Sequence, residues 1–378
     1  PFPDGIGSQE VISLLDGAAP AGLTDRCGEV AVTRCAFAPV DVSEPVNRVT
    51  ATELSTELTQ WLLNTDPALR WQVERDLLDA DDSVWRATRA RVATQGMAAA
   101  LLAEQEPDGQ WAGGAFFPAA GHPSAWQEGQ QGQPWTATTW TLYTLCEWGL
   151  PADALAGTAQ KLAANAHWEY DADLPYWGGE VDVCINAWTL ANGTWLNADV
   201  AGLVNWFAEH QLSDGGGNCE WEGGSVRSAF HSTLNALVAL LYREADGHHE
   251  EGIAELRRPG EQYLLTRHLL NRAATGQQVA PWATTFNYPF RHRYHVLRAL
   301  DYFRRSAQLS GTSPDPRLGA AVEIVRVKQQ HDGTWLQEDH LAGQEWFPLD
   351  VPVGQPSPWL TLYALRVLRW WNERGAVE

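Results

Sequence analysis

Two segments near the middle of the chain carry carboxylate, thiol and imidazole groups at close spacing. One holds Asp182-Val-Cys184, and the other holds Cys219 and, further on, His231. Oxygen, sulfur and nitrogen ligands around a metal with an open position suit Zn²⁺. A zinc ion held by three protein groups can activate a thiol or a water molecule, or polarise an oxygen atom of a substrate. We therefore predict a zinc site formed by Asp182, Cys184 and His231.

Cys219 is a fourth candidate ligand, and it decides which kind of zinc site this would be. If Cys219 binds, a closed Asp/Cys/Cys/His site leaves no position for a substrate and is structural. The same segments can also be interpreted without a metal. Cys184 is then a small core residue, Asp182 caps the following helix, and His231 is a hydrogen-bonded histidine in a cavity. The sequence leaves these alternatives open.

The elements that must position these residues repeat along the chain. Three turns resemble one another, around Asp-Gly pairs at 108–109, 214–215 and 332–333. In each, an amphipathic helix ends at a Gln, the Asp-Gly pair predicts a tight turn with positive φ, and a second apolar helix follows a loop. The turns lie 106 and 118 residues apart, so each interval has room for one further helix pair.

Repeats of roughly 50–60 residues, each consisting of one helix pair, are typical of a helical array. Together with a first pair from 53 to 105, they predict about six hairpins, enough to close a ring. We expect an all-α fold, an α/α toroid over residues 53–375, with an open solenoid as the alternative. Residues 1–50, rich in Pro, Gly and Asp, are expected to form an irregular N-terminal arm or cap. The second helices of the pairs are predicted at 135–145, 183–196, 228–237, 289–305 and 358–368.

The turns at 108–111 and 332–335 read Asp-Gly-x-Trp. They resemble the repeat motif of the superfamily that contains squalene cyclases and the β-subunits of protein prenyltransferases. The resemblance extends over the chain outside the N-terminal arm, and it is strongest to bacterial squalene-cyclase-like proteins with a single toroid. It implies an α/α toroid around a central cavity.

The same resemblance implies zinc. In prenyltransferase β-subunits an Asp-x-Cys at one inner helix and a histidine at the start of a later one bind the catalytic metal. Asp182-Val-Cys184 and Phe230-His231 occupy the matching places in this sequence. The resemblance therefore carries over three ligands, Asp182, Cys184 and His231, and no others.

A second motif matches another branch of the superfamily. Asp79-Ala-Asp81-Asp82 has the pattern of the acid in class II triterpene cyclases. There a protonated Asp starts a carbocation cascade, and aromatic walls stabilise the cations. The alternative for Asp81 and Asp82 is helix capping, because the motif lies where one helix ends and the next begins. Full cyclases also generally use two helical domains, whereas one is expected here.

The sequence departs from the prenyltransferase pattern where a diphosphate would bind. The stretch 174–180, before the Asp-x-Cys, has no basic residue. The basic candidates are Arg227, Arg291, His292 and His295, which could hold an anion or form a solvated helix face. The chain shows no signature of a partner subunit, so protein prenylation is not expected, and its oligomeric state is left open.

Twenty tryptophans are an unusual number for a chain of 378 residues. In a ring of helices they can line a cavity or wedge between helices. The tryptophans near the predicted starts of inner helices are candidates for contact with a hydrophobic substrate, and helix packing explains any one of them equally well. They are Trp135, Trp140, Trp188, Trp221, Trp282 and Trp359.

The formal net charge of −21 disfavours binding to nucleic acid or to anionic membrane surfaces. No apolar run approaches the roughly 18 residues of a membrane span, and no signal-peptide pattern is present at the start. Five cysteines, an odd number without framework spacing, are typical of a reduced, cytoplasmic protein. Cys27 and Cys35 are close enough in sequence to pair.

The leading hypothesis is a zinc enzyme that acts on a hydrophobic, isoprenoid-like small molecule in a Trp-rich toroid cavity, as a transferase, cyclase or lyase. The first alternative is a metal-free cyclase or isomerase that uses Asp81 or Asp82 as its acid. The second alternative is a non-catalytic toroid that binds a ligand or a partner, with zinc as a structural staple or absent.

Overall fold

The computed structural model describes residues 54–127, 130–169, 171–247 and 252–375. The expected N-terminal arm at 1–50 and the possible pairing of Cys27 with Cys35 lie outside these ranges. Within them the chain is mostly helical, as the periodicity predicts. Two short strands form an antiparallel pair that the sequence did not indicate.

Helices and two short strands follow one another along the described residues. In chain order they are α1 Thr56–Leu63, α2 Pro67–Asp76, α3 Asp82–Ala90, α4 Gly96–Ala103, α5 Thr138–Glu147, α6 Thr158–Asn165, β1 His167–Trp168, β2 Asp171–Pro175, α7 Val183–Trp195, α8 Ala201–Glu209, α9 Phe230–Ala245, α10 Ile253–Leu265, α11 Val296–Ser310, α12 Gly319–Val327 and α13 Pro358–Gly375. Helices α2, α5, α7, α9, α11 and α13 are buried over most of their surface, and we call them the buried helices. The described part of the chain has no helix that is both long and apolar enough to span a bilayer.

For four of the five predicted second helices, the predicted first residue lies within three residues of the first residue of a buried helix. The exception is the helix predicted at 289–305, because α11 begins only at Val296. Pro289 lacks the N–H that a helix interior needs, and Arg291 has a φ of +49°, which is outside the helical region. The segment before Val296 is therefore a loop, and the basic residues predicted on a helix belong to that loop.

The Asp-Gly turns have the predicted backbone. Gly109, Gly215 and Gly333 have φ values of +96°, +100° and +86°, which glycine adopts without a steric penalty. In the first and third turns the side chains of Asp108 and Asp332 accept a hydrogen bond from the backbone N–H two residues further on, at 2.9 and 3.1 Å. Such an Asx turn explains why Asp precedes Gly at these positions.

Each turn is also tied to the buried helix that follows it. The backbone N–H of Trp111 donates to the hydroxyl of Thr138 at 3.0 Å, and that of Trp335 donates to Thr361 at 3.1 Å. In the middle turn the equivalent bond reaches the hydroxyl of Thr233 at 3.1 Å. Both indole N–H groups donate to a carbonyl ten residues earlier, at 2.7 and 2.8 Å. The tryptophan of the motif thus joins the helix before the turn to the helix after it.

The buried helices contact one another in chain order. Helix α5 packs on α7, α7 on α9, α9 on α11, and α11 on α13. Helix α13 then contacts α2, where the guanidinium of Arg366 donates to Gln72 at 2.7 Å and pairs with Asp76. Helix α2 reaches the end of α5 through Trp71, whose indole donates to the carbonyl of Trp148 at 2.9 Å. The last buried helix therefore meets the first.

Candidate functional site

Two of the residues predicted as metal ligands lie side by side. Cys184 is in the first turn of α7, and Cys219 begins a short 3₁₀ turn in the loop before α9. Their sulfur atoms are 3.3 Å apart, and the thiol of Cys219 donates to Cys184. This bond lowers the pKa of Cys184 and raises that of Cys219. The indole of Trp221 anchors the turn by donating to the carbonyl of Val181 at 2.8 Å.

Asp182 lies beside this pair as the N-terminal cap residue of α7, but its side chain makes no capping hydrogen bond. Burial raises its pKa to about 10, and the neighbouring Cys219 and Glu180 act in the same direction. Asp182 is therefore neutral at pH 7. Because a metal ligand must be deprotonated, zinc binding here would first have to displace this proton.

His231 is not placed with the two thiols. The face of α9 that meets them carries Ser232, whose hydroxyl is 3.3 Å from Cys219, and Asn235, whose amide donates to Cys184 at 3.3 Å. The His231 ring instead packs edge-on against Trp282, with 4.6 Å between ring centroids. Burial, with several positive neighbours, lowers its pKa to about 3.

The predicted ligands, Asp182, Cys184 and His231 with Cys219 as a possible fourth, are thus only partly brought together. Among the described residues, no group of three or more His, Cys, Asp and Glu side chains is arranged to hold a metal ion. The two thiols suit zinc chemically, but adjacent residues of α9 point about 100° apart, which separates His231 from Ser232. The sequence pattern could not show this rotation, and zinc remains a prediction.

Four of the six tryptophans predicted to contact a substrate are packed against other aromatic rings. Trp135, Trp140, Trp188 and Trp359 are almost completely buried. Trp140 contacts Trp188 and Trp135 at centroid distances of 4.5 and 4.8 Å, and Trp359 stacks on Tyr288 at 4.7 Å. Trp135, Trp140 and Trp188 therefore fill the space near the starts of α5 and α7. Trp359 packs elsewhere, since it also stacks on Trp148, the residue after the end of α5.

The two remaining candidates, Trp221 and Trp282, are half-buried at the edge of the same region. Trp221 packs against His210 with 4.5 Å between centroids, and Trp282 covers His231. Neither tryptophan lines the one large cavity described for this part of the chain, which has a volume of about 850 Å³ and lies among the buried helices. The six predicted tryptophans therefore do not line this cavity, and their contact with a substrate stays a prediction.

The predicted basic cluster has structural roles. Arg291 is buried, pairs with Glu345 at 2.9 Å, and lies over the Trp135 ring. His292 is buried against the same Trp135 ring at 5.8 Å. His295 is the N-cap of α11, where its Nδ1 accepts the N–H of Arg298 at 3.2 Å. These residues are buried, so they do not form a solvated helix face, and binding of an anion by them stays a prediction.

Arg227 lies apart from this cluster. It is exposed and does not line the cavity.

Asp81 and Asp82 are not placed as an acid for a buried substrate. Both are exposed at the start of α3, and Asp82 accepts hydrogen bonds from Arg86 at 2.8 Å and from Trp85 at 3.1 Å. These bonds lower its pKa, so that Asp82 is charged, whereas a cyclase acid must carry its proton. The position at the helix start agrees with the capping interpretation, through the charge at the first turn.

A cavity of about 850 Å³ lies among the buried helices, in the range of small-molecule sites. It is lined by residues of α2, α5, α7, α9, α11 and α13, mostly from the C-terminal halves of these helices. It reaches solvent at exposed residues such as Asp79 and Leu309. None of the predicted metal ligands or tryptophans is among the residues that line it.

The cavity wall is rich in charge. Four of its five carboxylates are paired with arginines: Asp76 with Arg366 and Arg75, Asp79 and Glu373 with Arg369, and Asp301 with Arg304. The fifth is Glu147. The seven arginines of the wall are Arg75, Arg89, Arg298, Arg304, Arg305, Arg366 and Arg369.

Two buried arginines of the wall keep N–H groups without a hydrogen-bond partner. They are Nη2 of Arg298 and Nε of Arg366, each in a residue with about one twentieth of its surface exposed. Arg89, Arg298 and Arg305 also have no carboxylate partner among the described residues. A cavity with more positive than negative groups, inside a chain of net charge −21, favours an anionic ligand.

Glu147 differs from the other carboxyl groups of the wall. It ends the apolar helix α5, and its oxygens accept hydrogen bonds from the phenol of Tyr363 at 2.7 Å and that of Tyr288 at 3.3 Å. The indole of Trp148 in turn donates to the Tyr288 oxygen at 2.9 Å. Burial raises the pKa of Glu147, and the tyrosines oppose this rise only in part. A carboxyl group that borders a cavity and has a raised pKa is suited to proton transfer.

Sequence reasoning missed Glu147 and the arginines. A single acid at the end of the apolar stretch 138–146, and arginines on the late turns of α11 and α13, were the available clues. The motifs of the sequence point to helix starts, whereas the cavity is lined largely by the C-terminal halves of buried helices.

Comparisons with known proteins add no assignment. No protein-family model matches the chain, and no curated protein matches it.

Proposed function

We propose that the chain folds as an α/α toroid whose inner wall is formed by the six buried helices. The chain-order contacts from α5 to α13, and the return from α13 to α2, support this arrangement rather than an open solenoid. The three equivalent ties between a turn and the next buried helix support a repeated unit. Membership of the cyclase and prenyltransferase superfamily remains a proposal that rests on these motifs.

We further propose that the central cavity is an active site for a small molecule that has an anionic group and an apolar, unsaturated part. The arginine-rich wall supports the anionic group. The aromatic rings of the wall, among them Trp71, Tyr143, Phe290 and Trp370, support the apolar part and can stabilise positive charge that develops on it.

Proton transfer by Glu147 is the chemistry that the site supports best, and the carboxyl of Glu147 in the cavity wall is the observation that carries it. Its Oε1 is held by Tyr363, while Oε2 has only the longer contact with Tyr288, so Oε2 carries the transferable proton. After transfer, the carboxylate keeps the hydrogen bond from Tyr363 and is stabilised by the nearby charge of Arg298. Protonation of a carbon–carbon double bond leads to a cyclisation or an isomerisation.

The acid hypothesis is thus favoured over the zinc hypothesis, with a different acid. Asp81 and Asp82 face solvent, whereas Glu147 is half-buried and borders the cavity. A zinc-dependent reaction would rest on Cys184 and Cys219, which do not line the cavity.

The experiment compares ligands that share a chain but differ in charge. Calorimetric titration with geranyl and farnesyl diphosphate, with the matching alcohols, and with inorganic pyrophosphate should show binding of the diphosphates and little binding of the alcohols. Incubation in D₂O, with products analysed by mass spectrometry, should then show deuterium bound to carbon in a cyclised or isomerised product. Equal binding of alcohols and diphosphates would contradict the anionic site. Binding without any deuterium incorporation would contradict the acid.

A further inference from the structure

The thiols of Cys184 and Cys219 form a pair that the proposed reaction does not use. They belong to successive repeats, and 3.3 Å separates their sulfur atoms. Ser232 contacts both thiols, at 3.7 Å from Cys184 and 3.3 Å from Cys219. Asn235 donates its amide to Cys184. These bonds hold the two sulfur atoms within reach of the bond length of about 2.05 Å that a disulfide needs, with a small rotation of each side chain.

We propose that Cys184 and Cys219 are a redox-active pair that closes to an intramolecular disulfide by exchange with a low-molecular-weight disulfide. In the first step a thiolate of the pair attacks one sulfur of the small disulfide, forming a mixed disulfide and releasing one thiolate. In the second step the other cysteine attacks the protein sulfur of the mixed disulfide and releases the second thiolate. The two cysteines are oxidised, the small disulfide is reduced to two thiols, and the two cysteine protons end on those thiols.

The surroundings of Cys219 allow such exchange. Both cysteines are half-buried rather than sealed in the core. The segment after Cys219 is open to solvent, since Glu222, Gly223, Gly224 and Arg227 are all exposed. A small disulfide can therefore approach from the loop side, and Trp221 keeps the start of the loop in place.

The third described cysteine provides an internal contrast. Cys146 lies in the last turn of α5, and its thiol donates to the phenol of Tyr242 at 3.3 Å. Burial raises its pKa to about 12, which leaves little of the reactive thiolate at neutral pH. No second thiol of the described residues lies beside it. Cys146 is half-buried like the other two cysteines, so it is the lack of a neighbouring thiol that should keep it from cross-linking.

A disulfide at this position would join two repeats. It would connect the first turn of α7 to the loop that leads into α9, and these two helices make the most extensive helix–helix contact of the described chain. The bond would hold the loop against the helix start without disturbing the cavity, because neither cysteine lines it. Oxidation should then change the mobility of this loop rather than ligand affinity.

The test treats the full-length reduced protein with oxidised glutathione, blocks remaining thiols by alkylation, and maps peptides by mass spectrometry. We expect a cross-linked peptide that contains Cys184 and Cys219, its loss on treatment with dithiothreitol, and an alkylated Cys146. Cys184→Ser should leave a mixed disulfide with glutathione on Cys219, and Cys146→Ser should cross-link as the wild type does.

Three outcomes would overturn the proposal. One is mixed disulfides at both cysteines with no cross-link, and another is a disulfide that joins either of them to a different cysteine. The third is a wild-type protein in which a bound metal blocks both thiols until a chelator removes it. Because the mapping is done on the wild-type chain, the result does not depend on whether the Ser variants fold.

Discussion

The phenol of Tyr363 on α13 donates a 2.7 Å hydrogen bond to the carboxyl of Glu147 on α5, across 216 positions of sequence. The bond joins two buried helices that border one cavity, and it fixes the position of the carboxyl. It also lowers the pKa of Glu147, in opposition to the larger effect of burial. The balance between these two effects sets the protonation of the proposed acid.

Glu147→Gln should remove turnover and keep binding. The amide retains the size of the side chain and its acceptor for Tyr363, but it has no proton to give. We expect kcat to fall by about 10²–10⁴-fold, with the affinity for the diphosphate ligand little changed. Asp82→Asn is the matched control, because that carboxylate is exposed, and it should leave both quantities unchanged. A turnover that survives Glu147→Gln would assign the acid elsewhere.

Tyr363→Phe should shift the pH profile of the same reaction. Loss of the hydrogen bond removes an effect that lowers the pKa of Glu147, so its pKa should rise further. The fall of kcat on the alkaline side, where the acid loses its proton, should therefore move to higher pH. The pH dependence of kcat for the wild type and the variant checks this, and a shift in the opposite direction would contradict the proposed role.

Arg298→Gln should weaken the binding of pyrophosphate. Arg298 is buried in the cavity wall with a free Nη2, and a hydrogen bond from a charged donor contributes about 1.5–3 kcal/mol, or roughly 10–150-fold in affinity. Arg227→Gln, at an exposed position away from the cavity, is the control and should bind as the wild type does. Equal losses in the two variants would point to non-specific attraction.

His295 should make the fold sensitive to acid. Burial lowers its pKa in the folded state to about 3, against about 6.5 when unfolded, so the unfolded chain binds the extra proton between these values. Its contribution to stability is present above pH 6.5 and declines as the pH falls towards 3. His295→Asn retains a capping side chain, and the loss of stability between pH 7 and 5 should shrink by about 2 kcal/mol. Urea unfolding at pH 7 and pH 5 measures the free energy of unfolding of both chains. A loss of stability between these pH values that is equal in the wild type and in His295→Asn would contradict the role given to His295.

Metal analysis tests the zinc prediction. If the purified protein contains zinc, Cys184→Ser and Cys219→Ser should remove it, whereas His231→Gln should not, because His231 packs on Trp282 instead of facing the thiols. The readout is the zinc content per chain by elemental mass spectrometry. Loss of zinc in His231→Gln would restore the predicted ligand set, and a wild-type chain without zinc would end the zinc hypothesis.

Much of the local structure could be predicted from the sequence. The Asp-Gly turns depend on neighbouring residues alone, since Gly109 and Gly333 adopt the positive φ that Asp-Gly favours. The helix predicted from residue 289 begins only at Val296, because Pro289 cannot occupy a helix interior. The candidate site was harder to predict, because the sequence does not show in which direction each side chain points. A helical position shows which residues lie near a helix start, but one step along α9 separates Ser232, which meets the thiols, from His231, which does not.

The sequence by itself determined that this is a chain of paired helices with Asp-Gly turns, because turn chemistry and helical periodicity are local properties. Tertiary structure decided which rings pack and which surfaces face a void. Trp140 could have lined a cavity or filled a core, and only its contacts with Trp135 and Trp188 show that it fills one. Glu147 is a candidate acid because the fold places it in the cavity wall, where it accepts a hydrogen bond from Tyr363, a residue more than two hundred positions away in sequence. The burial of a side chain, and the pKa that results from it, depend on residues that are distant in sequence and that a local sequence pattern cannot identify.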